Sequence, residues 1–189
     1  MPNKVKYNLK NVHYALATSG GYATTISAWP GAVNISLTPQ GDDYTFYADG
    51  IAYFEYHTNN GYEGDLECAL VPEDFKKSVL GEVLDNNGNL IELDDVDTVN
   101  FALGFQIDGD ANENFYWFYN CKASRPNVES STKEKSVEVQ TETLSFSNKP
   151  DPRISVGSKH PVKVKSGEAS TTTAGAWFSA VVLPSVTTG

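Results

Sequence analysis

The sequence predicts a mainly β fold, a β-sandwich or barrel with one short flanking α-helix at about 72–81 and a long protruding loop or hairpin. Three observations carry this. Short runs of alternating apolar and polar residues recur along the chain, separated by Gly-, Asn- and Asp-rich turns. One stretch has helix-terminus chemistry. One other, 39–61, is too aromatic for a surface loop and too acidic for a core. With 189 residues, 40% hydrophobic and 20% charged, the chain reads as a single globular domain, 1–189.

The elements follow in order. "HYALA" (13–17) and "YATTIS" (22–27) flank the turn "TSGG", a first hairpin. "GAVNISLT" (31–38) sets Val33, Ile35 and Leu37 against Asn34, Ser36 and Thr38. In 39–61, "YTFYA" and "IAYFEYH" turn at "DG". Tyr44, Phe46, Tyr47, Tyr53, Phe54 and Tyr56 are expected on both faces of the resulting hairpin. The core of the domain covers one face, so a neighbouring subunit is the natural cover for the other, and 39–61 is read as an inter-subunit arm.

"NNGYEGDLEC" (59–68) alternates again, with Glu63, Asp65 and Glu67 on one parity and no cation between them. In "VPEDFKKSVLG" Pro72 suits the first helical position and Glu73 and Asp74 the positive end. Lys76 and Lys77 suit the negative end and Gly81 the C-terminus. A helix this short forms only when docked on a sheet. "NFALGFQI" (100–107) and "NFYWFYNCKA" (114–123) flank "DGDANE" as a second hairpin. Residues 124–136 read as an exposed loop, "SVEVQTETLSF" (136–146) as a half-solvated strand, and "AWFSAVVL" (176–183) as a last apolar strand. "SKHPVKVK" (158–165) places Lys163 and Lys165 on one parity, a pattern that protects a sheet edge.

The net charge of −10 is unevenly spread: +3 over 1–39, −15 over 40–110 and +2 over 111–189. An acidic middle repels a phosphate backbone and suits head-to-tail contact between copies. Lys4, Lys6, Lys163 and Lys165 are the basic candidates for that contact. No apolar run reaches membrane length, and the N-terminus lacks the apolar stretch of a secretory signal. Cys68 and Cys121 lie in apolar strand-like runs without nearby His and read as reduced core thiols.

Catalytic, cofactor and metal motifs are not expected. There is no nucleophile elbow, no phosphate-cradling glycine loop, and His13, His57 and His160 lie in unrelated contexts. Asp108, Asp110 and Asn112 have the first spacings of a calcium loop. Glu113 stands where that loop needs Gly, and Tyr119 where it needs its closing acid. Paired carboxylates of a glycosidase come from different strands, unlike Glu63, Asp65 and Glu67. A carbohydrate-binding β-sandwich, stacking sugars on Tyr116, Trp117, Tyr119 and Trp177, is the alternative from another class.

Four runs in this order carry a resemblance: "KVKYNLKNVHYA" (4–15), "PGAVNISLTPQG…FYAD" (30–49), "NNGYEGDLECALVPEDFKKSVLGEVLD" (59–85) and "YNCKASRPNVESSTKEKSVEVQTETLSF" (119–146). The chain resembles the major tail proteins, or tail tube proteins, of long-tailed siphophages and prophages of Gram-positive bacteria. The resemblance implies a tail-tube-type β-sandwich with a flanking helix and an arm onto the neighbour. It implies hexameric rings stacked around a tape measure protein, with tail terminator and distal tail proteins as further partners. DNA then passes without specific binding, and no membrane or cofactor is involved. The protein would reside in the virion tail after synthesis in the bacterial host cytoplasm. The C-terminal immunoglobulin-like domain of some relatives is expected to be lacking. A tube of a contractile or secretion-like machine shares the general fold. Under this reading Glu63, Asp65 and Glu67 are expected to face the lumen or its rim, the plainer alternative being a solvated outer surface.

Overall fold

The computed structural model describes residues 2–132 and 139–185. Among these residues thirteen strands and two short helices follow in chain order. The first group is β1 (Lys6–Thr18), β2 (Gly21–Tyr22), β3 (Ser27–Ala28), β4 (Ala32–Gln40), β5 (Asp43–Ala48), β6 (Ile51–His57) and β7 (Gly61–Cys68). After α1 (Glu73–Ser78) come β8 (Val83–Leu84), β9 (Leu90–Ile91), β10 (Phe101–Gly109), β11 (Asn114–Ala123), β12 (Glu142–Asn148), β13 (Lys163–Lys165) and α2 (Ala174–Trp177). One antiparallel sheet runs β2-β1-β10-β11-β12-β7-β4, with β3 added on β1 and β13 on β11. β5-β6 and β8-β9 are separate two-stranded ribbons.

The mainly β fold, the short helix and the protruding hairpin are as the alternation predicts. The packing layers are not a second sheet. On the inner side of the main sheet, α1 delivers Phe75 and the following Val79 and Leu80 onto Tyr14, Trp29, Phe101 and Leu66. Phe75 meets Trp29, Tyr14 and Phe101 at 4.6, 5.0 and 5.1 Å between ring centroids. Each such buried side chain is worth about 1.5–3 kcal/mol, which is how six helical residues are held. On the outer side the C-terminal segment brings Trp177 and Phe178 over Phe115, Trp117 and Tyr119.

Asparagine-centred irregularities set which side chain faces which core. Asn8, Asn11 and Asn120 have φ of 57°, 51° and 48°, and each is the extra residue at a register shift. A bulge reverses the parity of the strand beyond it. Before Asn120, odd-numbered Phe115, Trp117 and Tyr119 enter the outer core. After it, odd-numbered Cys121 and Ala123 enter the inner one. Asn11 does the same between Leu9 and Val12.

Several expected elements are corrected. The 176–183 run is no strand: Thr173 caps α2 by accepting from the Ala176 amide, and the rest lies as an irregular cover. It serves the same burial without joining a ladder. "YATTIS" breaks into β2 and β3. The helix expected over 72–81 is Glu73–Ser78, with Pro72 as its cap and its carbonyl accepting from Phe75 and Lys76. β12 begins at Glu142 rather than at 136, and Val139 and Gln140 are exposed. Val33 is exposed because it is the bulged residue opposite Cys68 and Glu67, and Ala32 takes its place against the core. The described part of the 124–136 loop, to 132, is irregular, and residues 133–138 lie outside the described ones. β13 protects β11 where β12 stops: Lys163, Val164 and Lys165 pair with Phe118, Trp117 and Tyr116.

A latch without a local sequence signature closes the β1–β2 turn. Asp151, fully buried, takes two hydrogen bonds from Arg153 at 2.8 Å and one from the Tyr22 hydroxyl at 2.5 Å. Arg153 also donates to the Thr18 and Gly21 carbonyls. Burial alone would raise the Asp151 carboxyl, but the bonds from Arg153 and Tyr22 outweigh it and hold it below its ordinary value. Burial and the neighbouring carboxylate push the Tyr22 phenol up.

Candidate functional site

The outer side of the sheet is divided. Over β1, β10 and the first half of β11 it is roofed by the C-terminal segment. Over β12, β7 and β4 its paired positions present polar side chains, arranged in rows fixed by the ladder, with the bulged Val33 the exposed apolar neighbour. Thr38, Glu63, Ser147 and Lys122 form one row, Ser36, Asp65 and Ser145 the next, and Asn34, Glu67 and Thr143 the third. Leu66 and Cys68, on the other parity of β7, are fully buried beneath. The three carboxylates therefore line one face, as their spacing predicts, about 7 Å apart along the strand.

Hydroxyls accompany the acids. Ser145 Oγ donates to Asp65 Oδ1 at 2.6 Å, and Thr141 Oγ1 to Glu67 Oε1 at 2.8 Å. Glu63 and Asp65 border a shallow cleft of about 550 Å³ with Thr38, Gln40, Ser124, Ser145 and Ser147. Gly64 lies between the acids because a Cβ there would stand 1.8 Å from the Ser36 carbonyl oxygen. Lys122 is a cation at the margin of this face and has no carboxylate within ion-pair distance among the described residues.

The arm stands free of the main sheet. Its turn, Asp49 and Gly50, has φ of 52° and 76°, the left-handed pair that a two-residue hairpin requires. At its root Asp42 and Thr58 exchange hydrogen bonds, Asn60 donates to Asp42, and His57 pairs with Asp43 at 2.6 Å. Every residue of β6 is exposed, as is all of β5 except the half-buried Thr45 and Ala48. Tyr53, 71% exposed, is the extra residue of a register shift between Phe46 and Tyr47.

Aromatic rings stand on both faces, as expected, but unequally. Pairing puts Tyr44 opposite Tyr56, Phe46 opposite Phe54 and Ala48 opposite Ile51, so these six share one apolar face. Asp43, Thr45, Glu55 and His57, with Tyr47 nearer the tip, share the other. The bulge makes the arm amphipathic.

The four lysines do not form one basic end. Lys4 and Lys6 lie by the β10–β11 turn, where Asp110 accepts from the Lys4 and Val5 amides and Lys10 bridges Asp108 and Glu113. Acids on that turn offset the N-terminal cations. Lys163 and Lys165 sit on the inner side instead. The Lys163 ammonium bonds the Tyr62 hydroxyl at 2.8 Å and lies 4.5 Å from that ring and 5.5 Å from Phe118. Lys165 lies 5.8 Å from Tyr116.

Among the described residues no three His, Cys, Asp or Glu side chains cluster as metal ligands. The calcium-like spacing at 108–112 serves instead to tie down the N-terminus: Asn8 and Lys10 bind Asp108, and Asn3 bonds the Ala111 and Asn112 amides. His13 stacks on Phe178, His57 pairs with Asp43, and His160 faces the Ile154 carbonyl, so no two histidines share a site. Both thiols are buried, and burial pushes each up. The rings of a sugar platform are spent inside: Trp117, Tyr119 and Trp177 belong to the outer core, and Tyr116 stacks on Phe105.

No protein-family model matches the chain, and no curated protein matches it. Among solved structures, the fold is similar to the sheath/tube terminator of an extracellular contractile injection system (PVC) in the extended state. The TM-score is 0.39, with 10% identity over 83% of this chain and 94% of that one.

Proposed function

We propose that this chain is a non-enzymatic structural subunit of a siphophage-type tail tube, self-assembling into stacked hexameric rings around a tape measure protein. The observation that carries the reading is the bare outer half of the sheet, whose Glu63, Asp65 and Glu67 stand among hydroxyls with, in the described ladder rows, a lysine at the margin alone. DNA binds walls that offer cations in exchange for its counterions. A wall of carboxylates and hydroxyls with a lysine at its margin offers little such exchange and repels the polyanion, which suits a conduit that must not hold its cargo.

The exposed apolar arm supports self-assembly. An arm that docks on a different surface of the next copy makes a heterologous contact, closing around a ring and remaining open along an axis. The four sequence runs that resemble siphophage major tail proteins support the specific class and the partners it implies: tape measure, tail terminator and distal tail proteins, with transient passage of DNA. On this reading the protein works in the virion tail after synthesis in the host cytoplasm.

Negative-stain electron microscopy of the purified protein across concentrations, with light scattering on the same samples, tests it. Rings or hollow tubes of uniform bore are expected. Solid fibres, or monomers at every concentration together with a glycan-dependent tryptophan fluorescence change, would overturn it in favour of a sugar-binding module.

A further inference from the structure

We infer that the arm of one copy docks, apolar face down, on a mouth at the inner side of a second copy's sheet, between Tyr62, Tyr116, Lys163 and Lys165. The inference rests on the self-assembly reading and names the receiving surface that reading lacks.

The mouth exists because α1 is short. It covers the Tyr14–Phe101 end of the inner core. Leu9, Ile107, Tyr116 and Tyr62, further along the same side, remain half-buried. What lies against the rings there is the exposed pair Lys163 and Lys165, each over an aromatic face and neither bonded to a carboxylate among the described residues. Two unpaired cations over an incompletely covered aromatic floor fit a ligand that is apolar and anionic together.

The arm has that chemistry. Its apolar face carries Tyr44, Phe46, Ile51, Phe54 and Tyr56, all exposed, which at half exposure amount to on the order of 600 Å². One partner's share of a standard interface is about 800 Å². The arm also carries Asp42, Asp43, Asp49 and Glu55 with no Lys or Arg. A two-stranded ribbon is narrow, so lysines at the rim reach past its edge to the carboxylates of its far face, their stems lying on the rings.

Each chain has one such arm and one such mouth, so copies join without a leftover surface. The mouth includes Tyr62, which lies beside the arm's root at Gly61, so successive copies are offset by an arm's length, roughly 20 Å for six or seven residues.

The test is photo-crosslinking of the full chain with Tyr53→p-benzoylphenylalanine, from micromolar to about millimolar concentration, with mass-spectrometric mapping. Intermolecular crosslinks to the segments around Tyr62, Tyr116 and 163–165 are expected. Lys163→Glu with Lys165→Glu should lower their yield at least tenfold, and Asp43→Lys with Glu55→Lys on the crosslinking copy should restore them. Circular dichroism checks that each variant is folded. Crosslinks to another surface, to another arm, or only within one chain would overturn the inference while leaving tube assembly intact. An absence of intermolecular crosslinks at every concentration would overturn it too. An absence of hollow assemblies by microscopy, with crosslinks at the mouth, would overturn the tube reading and leave the inference standing.

Discussion

Two halves of the sheet's outer side obey the same alternation and end in opposite states. On β11, before Asn120, the outward residues are Phe115, Trp117 and Tyr119, roofed by Trp177 and Phe178. On β7, two strands away, the outward residues are Glu63, Asp65 and Glu67, paired on both sides with polar residues. Composition decides which half becomes core. The bulge at Asn120 lets β11 serve the outer core with one half and the inner core with the other. A sheet whose outer side is part core and part wall is held rigidly while offering a wet surface.

If that division is right, damage to the roofed half should cost stability and damage to the bare half should cost little. Trp117→Ala is expected to have the largest effect, about 3–5 kcal/mol in urea denaturation, since it removes a fully buried ring and its hydrogen bond to the Trp177 carbonyl. Asp151→Asn comes next. It leaves Arg153 without its charge partner at a cost of about 3–5 kcal/mol at neutral pH.

The same carboxylate sets a pH dependence. Its folded value is depressed, so its stabilisation is present above the unfolded value of about 3.9 and is lost as pH falls through the folded value below it. Acid titration of stability should therefore be shallower in Asp151→Asn than in the parent, and an identical slope would remove Asp151 from the account.

Asn120→Ile is expected to cost about 1–3 kcal/mol more than Asn120→Gly, because a β-branched residue resists φ of 48° that Gly accepts, while both variants lose the side-chain bonds. Thermal unfolding of the two variants separates backbone strain from loss of the Asn120 side-chain bonds to Asn100 and Pro150. The smallest effect on stability is expected from Glu63→Gln, Asp65→Asn and Glu67→Gln, within about 0.5 kcal/mol each for surface positions. Replacing all three by Lys should leave folding nearly intact by circular dichroism while giving assembled tubes measurable DNA affinity that falls with salt. Tubes that remain indifferent to DNA would separate the acidic wall from the bore.

Much of this was legible in the sequence. Local alternation and turn chemistry placed β4, β7, β10, β11 and the arm, and period two put Glu63, Asp65 and Glu67 on one face. Parity read straight along the chain, however, fails at Asn8, Asn11, Asn120, Val33 and Tyr53, where one extra residue reverses it. The asparagines, interrupting apolar runs, were the available signal for three of those five. The roof escaped for another reason. "AWFSAVVL" is apolar enough for a strand, and only the sheet below it, already supplied with partners, decides that it packs without pairing. The Asp151–Arg153–Tyr22 latch joins positions about 130 residues apart and leaves no local pattern.

The central claim is that the bare acidic half of the sheet lines a bore. The most direct measurement is a helical reconstruction by electron cryomicroscopy of tubes assembled from the purified chain, at a resolution that traces β7. The account expects Glu63, Asp65 and Glu67 facing the central channel. β7 with these carboxylates on the outer surface of the tube, or buried between subunits, would contradict it.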